Sequence, residues 1–190
     1  MKQKRTFVTL LLVIALLCLG IGYAAISSVN LTISGNISAL AAEGTVEVEF
    51  TKAEVQAGSK GNTTAQPYTI VEGTENKDYT KATINVSDLT AENDTATVVY
   101  TIENKADDIA ATLGEPDIDW DNTEWFDVEC TLSGNTLAKD GTEGDSQTAT
   151  VVVTLKKTPV TLADQNAATD DITIAINAAP VENKVPAQNN

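Results

Sequence analysis

The sequence predicts an all-β protein, a jelly-roll-like antiparallel β-sandwich preceded by an N-terminal signal helix. Apolar residues alternate with polar ones in many short runs, a period of two that is typical of strands with one buried face. Val, Ile and Thr fill these runs, while aromatic residues make up 5% of the 190 residues, a bias that favours strands over helices. Turn-forming stretches separate the runs, as in sandwiches and jelly rolls.

The alternation is clearest in six runs, which we predict as strands: 29–39, 45–50, 82–86, 96–102, 149–155 and 172–178. Shorter candidate strands lie at 68–71, 110–113 and 125–132. Turn-rich stretches between them include 58–62, 103–108, 133–135 and 139–145. The run ATVVYTI is echoed by ATVVVTL, which predicts two strands in equivalent positions of the sandwich.

The first 24 residues have the three parts of a secretory signal peptide. A positive region comes first, formed by Lys2, Lys4 and Arg5. An apolar run over 7–19 follows, and small residues near Ala24 place the cleavage site between Ala24 and Ala25. A retained transmembrane helix is the alternative, but the run is short and no basic cluster follows it. We expect a secreted or cell-surface protein that meets the membrane only through its uncleaved signal.

We therefore expect four segments along the chain. They are a signal peptide (1–24), an N-terminal donor-strand segment and linker (25–42), a β-sandwich domain (43–180) and a disordered tail (181–190). The tail is polar and contains a proline, Pro186, a composition that buries little apolar surface.

The negative charge of the chain argues against polyanionic partners. The formal net charge is −15, and removal of the three basic leader residues leaves 9 basic and 27 acidic residues, a net charge of −18. Such a field repels nucleic acid and anionic lipid. Surface solubility explains the charge, and a specific cation-binding role is the alternative.

The composition argues against an enzyme. The chain has no histidine, which removes His-based triads and most zinc sites. It also lacks a Gly-rich phosphate loop and a nucleophile elbow, and its carboxylates mostly lie on the polar faces of strands or in turns. Cys130 stands alone once the leader has gone, and we interpret it as a small buried apolar residue. We expect neither catalysis nor a cofactor, apart from the calcium alternative that follows.

An acidic run, DIDWDNTE, is the candidate metal site. Carboxylates at close spacing can converge on calcium, and here they are Asp117, Asp119, Asp121 and Glu124. The run departs from an EF-hand loop, because Asn122 replaces the turn glycine and Val128 stands where the bidentate glutamate belongs. The run is therefore either a calcium-binding loop or a solvated acidic loop without a metal.

Aromatic residues flank the acidic run at Trp120, Trp125 and Phe126. They are either core anchors at strand ends or an exposed platform for a ligand. The second interpretation supports an alternative function, a monomeric cell-surface β-sandwich binding module that could depend on calcium.

Several segments together resemble the exported TasA/camelysin family of Gram-positive bacteria. The resemblance covers most of the chain, and the segments are GIGYAAIS, LTISGNISA, GTVEVEFTKAEV, NDTATVVYTIENKADD, GDSQTATVVVTLKKTPV and DITIAINAAPV. It implies a jelly-roll domain released by a dedicated signal peptidase and assembled into extracellular or biofilm-matrix fibres. It also implies that the N-terminal strand of one subunit, here within 25–39, pairs into the sheet of the next. Relatives have been classed as metallopeptidases, but without histidine or HExxH that activity does not carry over.

Physical reasoning from the first mature strand leads to the same question. An apolar-faced strand near a free N-terminus is costly to leave unpaired in water, so it pairs either in its own sheet or in that of another subunit. In a neighbour, main-chain hydrogen bonds would supply affinity and alternate side chains would fill pockets, and head-to-tail pairing would give a filament. We predict a homopolymer whose donor face is formed by Val29, Leu31, Ile33 and Ile37.

Overall fold

The structure, a computed structural model, describes residues 29–34, 46–119, 123–161, 164 and 170–181. Within these ranges the chain forms fourteen strands and almost no helix, which confirms the all-β prediction. No helix in the described part of the chain is long and apolar enough to span a membrane. The predicted signal helix, the Ala24–Ala25 cleavage site and the tail beyond Val181 lie outside the described residues.

Most of the strands are short. In chain order they are β1 (Val29–Ser34), β2 (Val48–Val55), β3 (Asn62–Gln66), β4 (Thr69–Ile70), β5 (Lys77–Asp78), β6 (Lys81–Ser87), β7 (Thr95–Asn104), β8 (Ala111–Leu113), β9 (Asp117–Asp119), β10 (Phe126–Leu132), β11 (Thr136–Leu137), β12 (Ser146–Leu155), β13 (Asp170–Ala175) and β14 (Ala178–Pro180).

A four-stranded sheet has the order β10-β12-β7-β2 and is antiparallel throughout. Its two central strands, β7 and β12, are ten residues long and bury every second side chain along most of their length. They contain the two echoing segments ATVVYTI and ATVVVTL, which therefore pair with each other as the inner strands of one sheet.

A five-stranded sheet has the order β3-β6-β1-β13-β9. Its central strand, β1, is antiparallel to β6 and parallel to β13. This parallel pair departs from the wholly antiparallel sandwich that the sequence predicts. Because β6 and β13 run in opposite directions, any strand between them must be parallel to one of the two.

The two sheets share one buried core, as the layers of a β-sandwich do. Tyr100 on β7 is fully buried, and its hydroxyl donates a 2.7 Å hydrogen bond to the carbonyl of Thr83 on β6. Phe50 packs edge-on against the Tyr100 ring, with 5.9 Å between ring centroids. One tyrosine thus contributes to the apolar core and bonds the two layers together.

Two smaller sheets, β11-β8-β14 and the β4-β5 hairpin, extend the sandwich. The prediction of one strand over 172–178 is wrong, because β13 ends at Ala175 and Ala178 begins β14 in another sheet. Between them the carbonyl of Asn177 accepts a 2.7 Å bond from Gly114 N, so the chain changes partner at this point.

The structure contains further strands, β3 and β9, that the alternation of apolar and polar residues in the sequence does not predict. At the start of β3, Gly61 has a φ of 65°, and a Cβ there would lie 2.1 Å from the carbonyl oxygen of Ser87. A residue without a side chain therefore lets this edge approach β6 closely.

Candidate strand-binding site

The slot that holds β1 is the candidate functional site. We use the word slot for the space between β6 and β13, which β1 fills along all six of its residues. The pairs along β6 are Val29 with Val86, Leu31 with Ile84, and Ile33 with Ala82. Along β13, Leu31 pairs with Ile172 and Ile33 with Ile174.

The walls of the slot are among the most buried residues of the molecule. Ala82, Ile84, Val86 and Ile174 are each no more than 1% exposed. Directly paired residues of neighbouring strands lie on the same face of a sheet. The register therefore places positions 29, 31 and 33, three of the four predicted donor-face residues, on the core face. The fourth, Ile37, lies outside the described residues.

The other positions of β1 fall on the outer face of the sheet. Asn30 pairs with Asn85, Thr32 with Thr83, and Ser34 with Lys81. All three partners on β6 are at least partly accessible to solvent, and Lys81 is exposed. The period of two in the sequence thus matches a slot with one apolar side and one polar side.

Neither neighbour of β1 in the sheet is close to it along the chain. β6 spans residues 81–87 and β13 spans residues 170–175, so no tight turn connects β1 to either strand. Both walls offer backbone hydrogen-bonding groups to whatever lies between them. The arrangement binds an extended segment with apolar residues at alternate positions, as in strand addition to a sheet.

The first three residues of the acidic run form a strand. Asp117 and Asp119 lie on β9 at the edge of the five-stranded sheet, and both are exposed. Ile118 between them pairs with Ile174. These two carboxylates alternate with a residue that packs against the core, so they lie on the exposed side of an edge strand.

The remaining predicted calcium ligands are placed differently. The carboxylate of Glu124 bonds to the ammonium of Lys157, which in turn lies 4.0 Å from the centre of the Trp125 ring. Asp121 lies outside the described residues. Among the residues that are described, no group of three or more Asp, Glu, Cys or His is arranged to hold a metal ion. Calcium binding at this run stays a prediction.

The flanking aromatic residues separate into two cases. Trp125 is 5% exposed and Phe126 is fully buried, so both are core anchors, the first of the two interpretations. Trp120 lies outside the described residues, and its role in a binding platform stays a prediction.

Cys130 lies on the edge strand β10 and packs against the core while remaining half-buried. Burial raises the pKa of its thiol to about 11, so the neutral form dominates at physiological pH. This agrees with its interpretation as a small apolar residue rather than a reactive thiol.

Sequence reasoning missed an apolar cavity at one end of the slot. Its lining comes from separate segments of the chain: Val48, Glu49, Phe50, Thr80, Ile102, Leu113, Ile176 and Ala178. Local alternation places most of these residues on buried faces, but it carries no signal that the faces meet around an unfilled space.

Comparison with known proteins does not assign the chain to a family. No protein-family model matches the sequence, and no curated protein gives a significant match.

Proposed function

We propose that this protein is an exported structural subunit that polymerises into an extracellular, biofilm-matrix type of fibre by donating its N-terminal strand to the next copy. The observation that carries the proposal is the slot, where a strand from the N-terminal end of the chain lies between β6 and β13. A β1 from another copy could make the same pairs, because neither wall depends on a tight connection to it.

The position of β1 in the chain favours exchange between copies. If export ends with cleavage between Ala24 and Ala25, Val29 becomes the fifth residue of the mature chain. A strand so close to a free end can leave one slot and enter another without threading the rest of the chain. Repeated head-to-tail exchange does not close on itself and so builds a filament.

The apolar residues of β1 favour binding of this strand in the slot of another copy. Each apolar side chain that moves from water into a core contributes about 1.5–3 kcal/mol, and positions 29, 31 and 33 each face a buried wall residue. Backbone hydrogen bonds along both sides of a six-residue strand add to this.

Several further features belong to the same proposal. The sandwich has jelly-roll connectivity, a dedicated signal peptidase releases the mature chain, and the acidic surface excludes nucleic acid as a partner. The role is structural rather than catalytic. In support, carboxylates such as Asp94, which accepts bonds from the backbone amides of Thr90 and Ala91, hold turns in place.

A chain-terminator experiment tests strand donation directly. A chain that begins at Glu43 has the slot but no strand to donate, so it should cap the growing end of filaments made from the chain that begins at Ala25. Negative-stain microscopy should show filaments from the longer chain alone, and a few mole per cent of the shorter chain should shorten them markedly. Monodisperse particles from both chains would refute the proposal.

A pair of matched double variants tests which face of β1 matters. Leu31→Asp with Ile33→Asp puts two charges on the apolar face and should abolish filaments. Asn30→Asp with Thr32→Asp adds the same charge to the polar face and should leave filaments in place. Circular dichroism of each variant separates loss of assembly from loss of folding.

A further inference from the structure

The β4-β5 hairpin exposes an apolar face to solvent. Ile70 pairs with Lys77, and the same register places Tyr68 opposite Tyr79 on the same side. We call this side, formed by those four residues, the hairpin face. Ile70 and Tyr79 are 54% and 37% exposed, and Val71 beside the turn is 44% exposed. The described part of the chain has five exposed large apolar residues, so three of them cluster at this hairpin.

The aromatic rings of the hairpin face hold each other in place. Tyr68 and Tyr79 pack edge-on, with 5.7 Å between ring centroids. The ammonium of Lys77 lies 4.1 Å from the centre of the Tyr68 ring and is the one charge on the hairpin face, while Glu72 and Glu75 lie in the turn beyond it. In a chain with a net charge of −15, another copy meets less repulsion here than elsewhere on the surface.

The hairpin lies at the end of the slot where β1 leaves it. The last residue of β1, Ser34, pairs with Lys81, which is two residues after Tyr79. The carbonyl of Tyr79 also accepts a 2.8 Å bond from Phe50 N, near the start of β2. The exit of the slot, the hairpin and the start of β2 therefore share one end of the sandwich.

Strand donation brings a second copy to this end. The chain of the donor leaves the slot of the acceptor after Ser34 and enters the described fold of the donor at Val46, two residues before β2. Eleven residues, 35–45, lie between them, so Ser34 and Val46 are at most about 40 Å apart. The body of the donor is thus held near the hairpin of the acceptor.

We propose that the hairpin face packs against the body of the copy whose β1 fills the slot. The occupant is a second copy of this chain. The inference deepens the proposed function and rests on it, since the strand is what brings the donor to the hairpin.

The contact suits a junction between linked subunits rather than an encounter of free ones. A stable protein interface buries about 800 Å² on each partner, whereas a patch of four partly exposed side chains covers roughly a few hundred Å². The donated strand raises the effective concentration of the donor at the hairpin, so a weak contact becomes an intramolecular one. The hairpin face therefore strengthens a junction that strand donation has formed.

Cysteine protection tests the contact. In the mature chain with Cys130→Ser, Ile70→Cys reports on the hairpin face. Val55→Cys is the matched control, because Val55 is also apolar and 42% exposed but lies at the other end of β2, about 24 Å from Val48. A water-soluble maleimide should react at least tenfold more slowly with Ile70→Cys in single filaments than in unassembled subunits. At Val55→Cys the rate should change less than twofold.

The outcome separates the hairpin contact from strand donation. Filaments with selective protection at Ile70→Cys support both. Filaments in which the two positions respond equally overturn the hairpin contact and leave strand donation in place. Monodisperse particles under all conditions overturn the contact together with the proposed function on which it rests.

A charge at the same position measures how much the contact contributes. Ile70→Asp should raise at least tenfold the lowest protein concentration at which filaments form, because the donor would then pack on a carboxylate. Val55→Asp adds the same charge at the far end of β2 and should change that concentration less than twofold. Circular dichroism checks that both variants are folded. Equal effects would reflect general repulsion between acidic subunits and would contradict the contact.

Discussion

The two large sheets of the sandwich are built in different ways. The four-stranded sheet takes all its strands from residues 48–155, and its inner pair β7 and β12 runs antiparallel for nine paired residues. The five-stranded sheet combines β3, β6 and β9 with one strand from each end of the described chain, β1 and β13, and β1 lies at its centre. One sheet is complete within the middle of the chain, and the other depends on a terminal strand.

The difference indicates that folding stability depends mainly on the four-stranded sheet, whereas assembly depends on β1 in the five-stranded sheet. Substitutions inside the four-stranded sheet should affect folding in every state of the protein. Substitutions in β1 should affect the occupancy of the slot. Variants in each sheet and removal of β1 test that separation.

Val151 is fully buried on β12, while the next residue, Val152, lies on the opposite face and is only half-buried. Val151→Asp places an unpaired carboxylate in the core and should cost about 4 kcal/mol or more, a large part of the stability of a typical domain. Val152→Asp is the matched control and should cost less than about 1 kcal/mol. Urea unfolding followed by circular dichroism measures both, and similar losses would contradict the assignment of faces.

Removal of β1 should loosen one sheet more than the other. In the chain that begins at Glu43, the amides of β6 and β13 should become less protected from hydrogen exchange, because direct pairing of these two strands would replace only part of their bonding to β1, while those of β7 and β12 should keep their protection. Added peptide of residues 25–42 should restore protection in β6 and β13. Uniform loss across both sheets would show that the four-stranded sheet cannot stand without β1.

The hydroxyl of Tyr100 should contribute a smaller amount through its bond between layers. Tyr100→Phe keeps the ring that packs against Phe50 and removes the 2.7 Å bond to Thr83, which should cost about 1 kcal/mol. Tyr79→Phe changes a tyrosine that is 37% exposed and serves as the control. Thermal unfolding compares them, and equal shifts would show that the bond between layers contributes nothing.

The smallest expected effect is a pH dependence at the end of the slot. Donation from the Thr80 hydroxyl to Asp78 Oδ1, at 2.5 Å, lowers the pKa of that carboxyl below its ordinary value of 3.8. Because the folded pKa is below the unfolded one, the stabilisation is present above about pH 4 and is lost as the pH falls through the folded pKa.

The variant Asp78→Asn should therefore reduce the difference in stability between about pH 5 and pH 2. Asp107→Asn, at an exposed position, is the control. Unfolding curves at several pH values measure both, and an unchanged pH slope for Asp78→Asn would contradict the role of this carboxyl.

The comparison also shows what local sequence predicts. The alternation in β7 and β12 identifies their buried faces because each strand has one neighbouring sheet and one solvent side. It identifies the apolar face of β1 for the same reason. It does not give the partner of β1, since pairing between distant segments leaves no local signal. Nor does it predict the break after Ala175, where Ile176 and Ala178 keep the period of two while the chain moves to another sheet.

The candidate site is predictable to a similar extent. The residues that form the walls of the slot appear in the sequence as ordinary strands, and only the register shows that they surround the N-terminal strand. The acidic run shows the reverse case. Its carboxylates are close in sequence, but Asp117 and Asp119 belong to an edge strand, and Glu124 is paired with Lys157.

Because β6 and β13 run in opposite directions, they can pair directly with each other when β1 is absent. Their facing edges have the polarity of an ordinary antiparallel pair, so they are able to bond to each other if the strand between them is withdrawn and the sheet narrows by one strand spacing of about 4.8 Å. A subunit without its central strand is then not forced to present two open edges, which in other sheets promote aggregation. Such a subunit can remain folded with a closed four-stranded layer, and the layer reopens when a β1 strand inserts between β6 and β13.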